Sequence, residues 1–114
     1  MELGNQQAFR ALADPSRRAI LRHLAEQDMT IAEVASNFEM TRAAVKKHLK
    51  ILEEGKLISV ETRGRERINK LEPMALKPVS DWFNFFNQFW DKRLSALEKA
   101  VDTHASQNNK PTKN

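Results

Sequence analysis

Two clusters of cationic side chains are the residues best placed to do chemistry here, and the chemistry they suit is recognition of anions. Residues 41–50 carry Arg42, Lys46, Lys47 and Lys50 with no acid among them, and residues 63–70 carry Arg63, Arg65, Arg67 and Lys70 against Glu66 alone. The rest of the chain holds 11 basic and 14 acidic residues, so a mildly acidic body bears two basic patches. Lys and Arg grouped in this way neutralise phosphates, and the counterions they displace drive association with a nucleic-acid backbone. Charge alone also permits a second reading, two solvated basic faces without a partner.

Other chemistries lack the residues they need. The absence of Cys removes disulfide scaffolds, thiolate zinc sites, thiol redox chemistry and cysteine nucleophiles together. No paired carboxylates, nucleophile–His pair, Gly-rich phosphate loop or HExxH occurs at workable spacing, so an enzyme is the weakest option and no cofactor is expected. A chain of 114 residues has room for one domain and a small core, of the kind a second subunit often completes. No run of about 18 apolar residues is present, so no membrane span is expected. The opening MELGNQQAFRALAD lacks the basic segment, apolar run and cleavage site of a secretory signal, and the expected location is cytoplasmic and reducing.

The elements that must position the basic residues follow from caps and periodicity. A first helix over about residues 3–13 carries Phe9 and Leu12. Asp14 is a good N-cap and Pro15 suits the first helical position, so a second helix runs to about Gln27. Its apolar stripe is Ile20, Leu21, Leu24 and Ala25, with Arg17, Arg18 and Arg22 on the polar side. Thr30 with Glu33 forms a capping box for a short helix over 31–37, with Ile31, Val34 and Ala35 inward.

After the turn at 38–40, Thr41 caps a helix over 42–54 that stops at Gly55. Val45, Leu49 and Leu52 fall on its core face, while Arg42, Ala43, Lys46, Lys47 and Lys50 face outward. The period then changes to 2. Residues 57–62 and 68–71 read as strands, and 63–67 as a hairpin tip with Gly64 available for positive φ. A long helix from about Pro78 to His104 carries the seam Val79, Phe83, Phe86, Trp90, Leu94, Leu97 and Val101, with Trp82, Phe85 and Phe89 beside it. Residues 1–104 are expected to form the domain and 105–114 a disordered polar tail.

The order helix, helix, short helix, basic helix, basic hairpin, long helix describes a winged helix-turn-helix: mainly α, about five helices and a two-stranded wing. A helix 10–12 Å across fits a major groove about 12 Å wide, and a hairpin can bring arginines to flanking phosphates or into the minor groove. Three strings make the match more specific: LADPSRR at 12–18, VKKHLKILEEGKLI at 45–58, and GRER at 64–67 followed by LEP at 71–73. Over roughly residues 8–101 the chain resembles the ArsR/SmtB family of bacterial winged-helix repressors.

That resemblance implies a homodimer that binds a double-stranded DNA operator and blocks transcription until a signal releases it. Carried over by position, Thr41, Arg42, Ala43, Lys46 and Lys47 would face the major groove, and Arg63, Arg65 and Arg67 would form the wing. Arg42, near the helix start, is the candidate for a base contact because arginine pairs bidentately with guanine. Lys47, Lys50 and the wing arginines suit phosphates, and His48 suits helix packing or a backbone contact. A two-fold dimer would read inverted half-sites about 34–36 Å apart.

The chain departs from metal-sensing relatives of this kind. Without Cys, a thiolate site on the short helix is impossible. Asp102 and His104 match half of a second type of site, but no later His completes it. His23 has no partner cluster and is expected to be structural. Six aromatics between Trp82 and Trp90 stand in place of ligands, in two stripes where one small core can cover only one. Trp82, Phe83, Phe85, Phe86, Phe89, Trp90, Leu94 and Leu97, with Leu3, Phe9 and Leu12, are therefore expected to form the dimer interface. A small-molecule pocket between protomers is the alternative use of those aromatics.

Two other functions compete with an operator-binding repressor. The basic patches alone would suffice for a non-specific, nucleoid-like DNA-binding protein, and the aromatic helix could serve a protein-interaction module. An inducer, if one exists, would be a small molecule or a partner protein.

Overall fold

The computed structural model describes residues 3–107, with side chains described over residues 6–102. In chain order the elements are α1 (Leu3–Leu12), α2 (Pro15–Glu26), β1 (Met29–Thr30), α3 (Ile31–Phe38), α4 (Arg42–Glu54), β2 (Ile58–Arg63), β3 (Glu66–Leu71), a 3-10 turn (Pro73–Leu76) and α5 (Lys77–Gln107). The chain divides into two compact units, Met1–Val79 and Ser80–Asn114.

In the first unit, short polar side chains start three helices. The Asp14 carboxylate accepts from the Arg17 backbone N–H at 3.1 Å, and Pro15 occupies the first turn, where it sacrifices no helical hydrogen bond. Thr30 and Glu33 form the expected reciprocal box: Thr30 Oγ1 accepts from the Glu33 N–H at 3.2 Å, and Glu33 Oε1 from the Thr30 N–H at 2.9 Å. Thr41 Oγ1 accepts from the Ala44 N–H at 3.1 Å. Arg17 and Arg18 do more than face solvent. Arg17 donates to the Ala11 and Arg10 carbonyls (2.7 and 3.1 Å) and Arg18 to the Leu12 carbonyl (2.8 Å), which satisfies the last carbonyls of α1.

The core gathers Ala8 and Ala11 of α1, Ile20, Leu21 and Leu24 of α2, Val34 of α3, Val45, Leu49 and Leu52 of α4, and Leu57, Ile58 and Val79. Ala25 is exposed, because three residues already fill the buried stripe of α2. Gly55 ends α4 in right-handed geometry, and the left-handed residue is Lys56, at φ 65°. Glycine is needed at 55 for another reason. A Cβ there would lie 3.0 Å from the Gln7 carbonyl oxygen and 3.3 Å from Ala8 Cα, so any side chain would require the α1 backbone to yield by a few tenths of an ångström.

The sheet is antiparallel in the order β1-β3-β2, one strand more than the expected wing. Strand β1 has two residues, too few to show a period, and pairs Met29 with Asn69 and Thr30 with Ile68. Asn69, the buried polar residue, donates from Nδ2 to the Met29 carbonyl at 3.1 Å. β2 and β3 pair from Ile58–Leu71 to Arg63–Glu66, which leaves a two-residue tip, Gly64-Arg65. Arg63 and Arg67 thus lie in strands and not in a five-residue tip. Gly64, at φ 61°, supplies the positive φ that tight hairpins require.

In the second unit α5 continues to Gln107, three residues past its expected end. Its large apolar residues are exposed, from 36% at Phe86 to 63% at Trp90, with Leu94, Leu97 and Val101 between. Aromatic rings contact one another along the helix, with centroids 4.9 Å apart for Trp82–Phe86 and 5.7 Å for Phe85–Phe89. Phe9 and Leu12 of the first unit are partly buried against its core. The side chains of Leu3 and His104, and residues 108–114 of the expected tail, lie outside the described residues. Among the described residues no helix is long and apolar enough to cross a membrane.

Candidate nucleic-acid interface

Helix α4 presents its cations because its opposite face is fixed. Val45, Leu49 and Leu52 are at most 5% exposed, and this leaves Arg42, Ala43, Lys46, Lys47 and Lys50 on the solvent side, all exposed. Thr41 is exposed as well, with its hydroxyl oxygen engaged in the cap. None of the four cations has an ion pair or side-chain hydrogen bond among the described residues. Their charge is available to a partner.

His48 turns the other way. Its Nδ1 lies 3.9 Å from Asp14 Oδ2 at the start of α2, buried and without a hydrogen-bond partner among the described residues. The Asp14 carboxyl is held below its ordinary value, first by the Arg17 backbone N–H and then by the charges of Arg17 and His48. His48 therefore sits at a helix-packing contact. His23 lies edge-on to the Phe38 ring, centroids 4.6 Å apart, a packing role as well.

The wing cations divide by strand face, since alternate residues of a strand point to opposite sides. Glu61, Arg63 and Lys70 share one face through the register Glu61–Ile68, Arg63–Glu66 and Ser59–Lys70. There Arg63 Nε donates to Glu61 Oε2 at 2.9 Å and Lys70 Nζ to Glu61 Oε1 at 3.2 Å, with Asp28 4.0 Å from Lys70. Hydrogen bonds from Arg63 and Lys70 hold the Glu61 carboxyl below its ordinary value, and the same pairing raises Arg63.

Arg67 lies on the other face with Val60 and Asn69. Together with Lys46, Lys50 and Leu49 of α4 these residues line a groove of about 460 Å³ between the helix and the wing. Arg65 stands at the exposed tip. Neither Arg65 nor Arg67 has an acidic partner among the described residues. All three arginines lie on the hairpin, Arg63 and Arg67 in its strands and Arg65 at its tip, and Glu61, which the sequence reading did not single out, clamps one of them. The signal was present, because Glu61 and Arg63 are two apart in a strand.

Among the described residues no three His, Asp or Glu gather as a metal site, and half of the Asp102–His104 pair lies outside those residues.

Residues 12–61 match the helix-turn-helix domain family model. An HTH-type transcriptional regulator of Mycobacterium tuberculosis is 31% identical over 96 residues, covering 84% of this chain and 87% of that one. The transcriptional repressor SdpR of Bacillus subtilis is 33% identical over 81 residues, 70% of this chain and 90% of its own length. The crystal structure of an ArsR family transcriptional regulator superposes with a TM-score of 0.69 at 32% identity, over 77% of this chain and 97% of that one. With its capped helix pair, outward cations and arginine-bearing hairpin, the chain belongs to the ArsR family of winged helix-turn-helix transcriptional regulators.

Proposed function

We propose that the chain acts in the cytoplasm as a homodimeric repressor that binds an inverted-repeat operator, with no catalytic step of its own. Helix α4 would enter the major groove, with Arg42 reading guanine and Lys46, Lys47 and Lys50 on bases and phosphates. Arg65 and Arg67 would reach flanking backbone, with Arg63 joining them when it leaves Glu61. The observation that carries this reading is the set of unpaired cations on the outward face of α4, held by a buried apolar stripe opposite. The exposed apolar face of α5 supports the dimer: Trp82, Phe83, Phe85, Phe86, Phe89 and Trp90 make a patch that a monomer would leave wet.

The test is titration onto DNA from upstream of the chain's own gene, followed by fluorescence anisotropy at two salt concentrations against a shuffled competitor. Competitor-resistant binding that saturates at two chains per site is expected. Equal competition by the shuffled DNA would replace the repressor with a non-specific DNA-binding protein.

A further inference from the structure

The groove between α4 and the wing has a composition that DNA alone does not explain. Its floor is largely apolar: Leu49 is buried, Ile31 and Val60 are half-buried, and the buried Asn69 amide donates to the Met29 carbonyl. Its rim carries Lys46, Lys50 and Arg67, all exposed, against one acid, Glu53. A DNA backbone would meet the cations of the rim, while its phosphates gain nothing from the apolar floor. A ligand that satisfies both is an organic anion with an apolar body. The volume, about 460 Å³, lies within the range of small-molecule sites.

We infer that this groove is an effector site for an amphipathic carboxylate, an aryl or medium-length acyl acid, which displaces DNA by occupying the same cations. The carboxylate pairs with Lys46, Lys50 or Arg67, and the apolar body covers Ile31, Leu49 and Val60. Binding and release are non-covalent. The displacement rests on the proposed DNA-binding role of those cations, whereas occupancy of the groove does not. A ligand that binds the DNA-free state and not the DNA-bound state weakens operator affinity by mass action, so release needs no conformational change.

The probe is 1-naphthoate, with 1-naphthalenemethanol as the uncharged body and inorganic phosphate as the bodiless charge. Amide NMR on the full chain without DNA should show saturable shifts at Leu49, Val60 and Asn69 for naphthoate only. Val60→Trp, which fills the floor, should abolish them. Glu53→Gln, an exposed change that leaves the fold alone, should tighten naphthoate roughly two- to fivefold, the size of an exposed charge effect. Shifts confined to α5, equal shifts from phosphate, or naphthoate affinity unmoved by Glu53→Gln would overturn the site.

A separate anisotropy measurement should show naphthoate raising the apparent Kd for DNA in the unmodified protein and not in Val60→Trp. Groove shifts without that rise would overturn the competition. Failure of DNA binding in the absence of any ligand would instead overturn the repressor reading.

Discussion

Helix α4 and the wing each carry four cations, and the two sets differ in availability. On α4, Arg42, Lys46, Lys47 and Lys50 form no ion pair among the described residues, and the single acid beside them in the groove, Glu53, is not bonded to any of them. On the wing, Glu61 holds both Arg63 and Lys70, and only Arg65 and Arg67 are unengaged among the described residues. Equal numbers of cations in the sequence are therefore unequally available at the surface. A helix segregates its charges by burying one side, whereas an exposed hairpin places acid and base on one face whenever they are two residues apart.

The sharpest way to break this comparison is to cut a cation from each side. Arg42→Ala should cost about 1–3 kcal/mol of operator affinity and relax discrimination at one base pair. Arg63→Ala, which removes a paired cation, should cost far less, and equal losses in a binding titration would erase the distinction.

A second comparison sets the two glycines against each other. Gly55→Ala presses a methyl on the α1 backbone, which must yield by a few tenths of an ångström, and should destabilise the fold by about 1–3 kcal/mol in denaturant unfolding, an overpacking cost. Gly64→Ala meets no atom within 4 Å and bears only its φ of 61°, so it should cost less, about 1–2 kcal/mol, with the α4 contacts intact.

Glu61→Gln should bring the wing closer to α4 by freeing Arg63 and leaving Lys70 with Asp28 alone. DNA affinity should rise, and the slope of log K against log salt should steepen by up to about 0.9 for each freed charge. An unchanged slope would mean that Arg63 and Lys70 already leave Glu61 when DNA arrives.

The smallest effect concerns Asp14 beneath α4. Its folded carboxyl titrates below the unfolded one, so its contribution to stability is complete above the unfolded value and is lost as pH falls through the folded value. Asp14→Asn keeps an acceptor for the cap, and should flatten the fall in thermal midpoint between about pH 5 and pH 3.

Much of this architecture was legible in the sequence. Asp14, Thr30 and Thr41 announce three helix starts by residue type alone, and Val45, Leu49 and Leu52 fix which side of α4 is wet. The unread parts are pairwise and non-local. Nothing in residues 29–30 reveals a strand, because its partner lies about forty positions away. Gly55 looks like a chain terminator for its helix, and its actual role depends on the path of α1. Arg17 and Arg18 look like solvent charge until the end of α1 is seen beneath them.

The short strand β1 has a consequence for folding order. Its pairing with β3, reinforced by the Asn69 amide on the Met29 carbonyl, fastens the chain on both sides of α3, α4 and the first strand of the wing. The whole segment proposed to read DNA is thus a closed loop held by a two-residue clasp. Closing a loop of that length costs about 3 kcal/mol of chain entropy beyond a constant, against microsecond or faster formation of its helices. The clasp should form late, once the helices have shortened the distance it must span. Lengthening the loop would be tolerated well, since each doubling adds only about 0.6 kcal/mol.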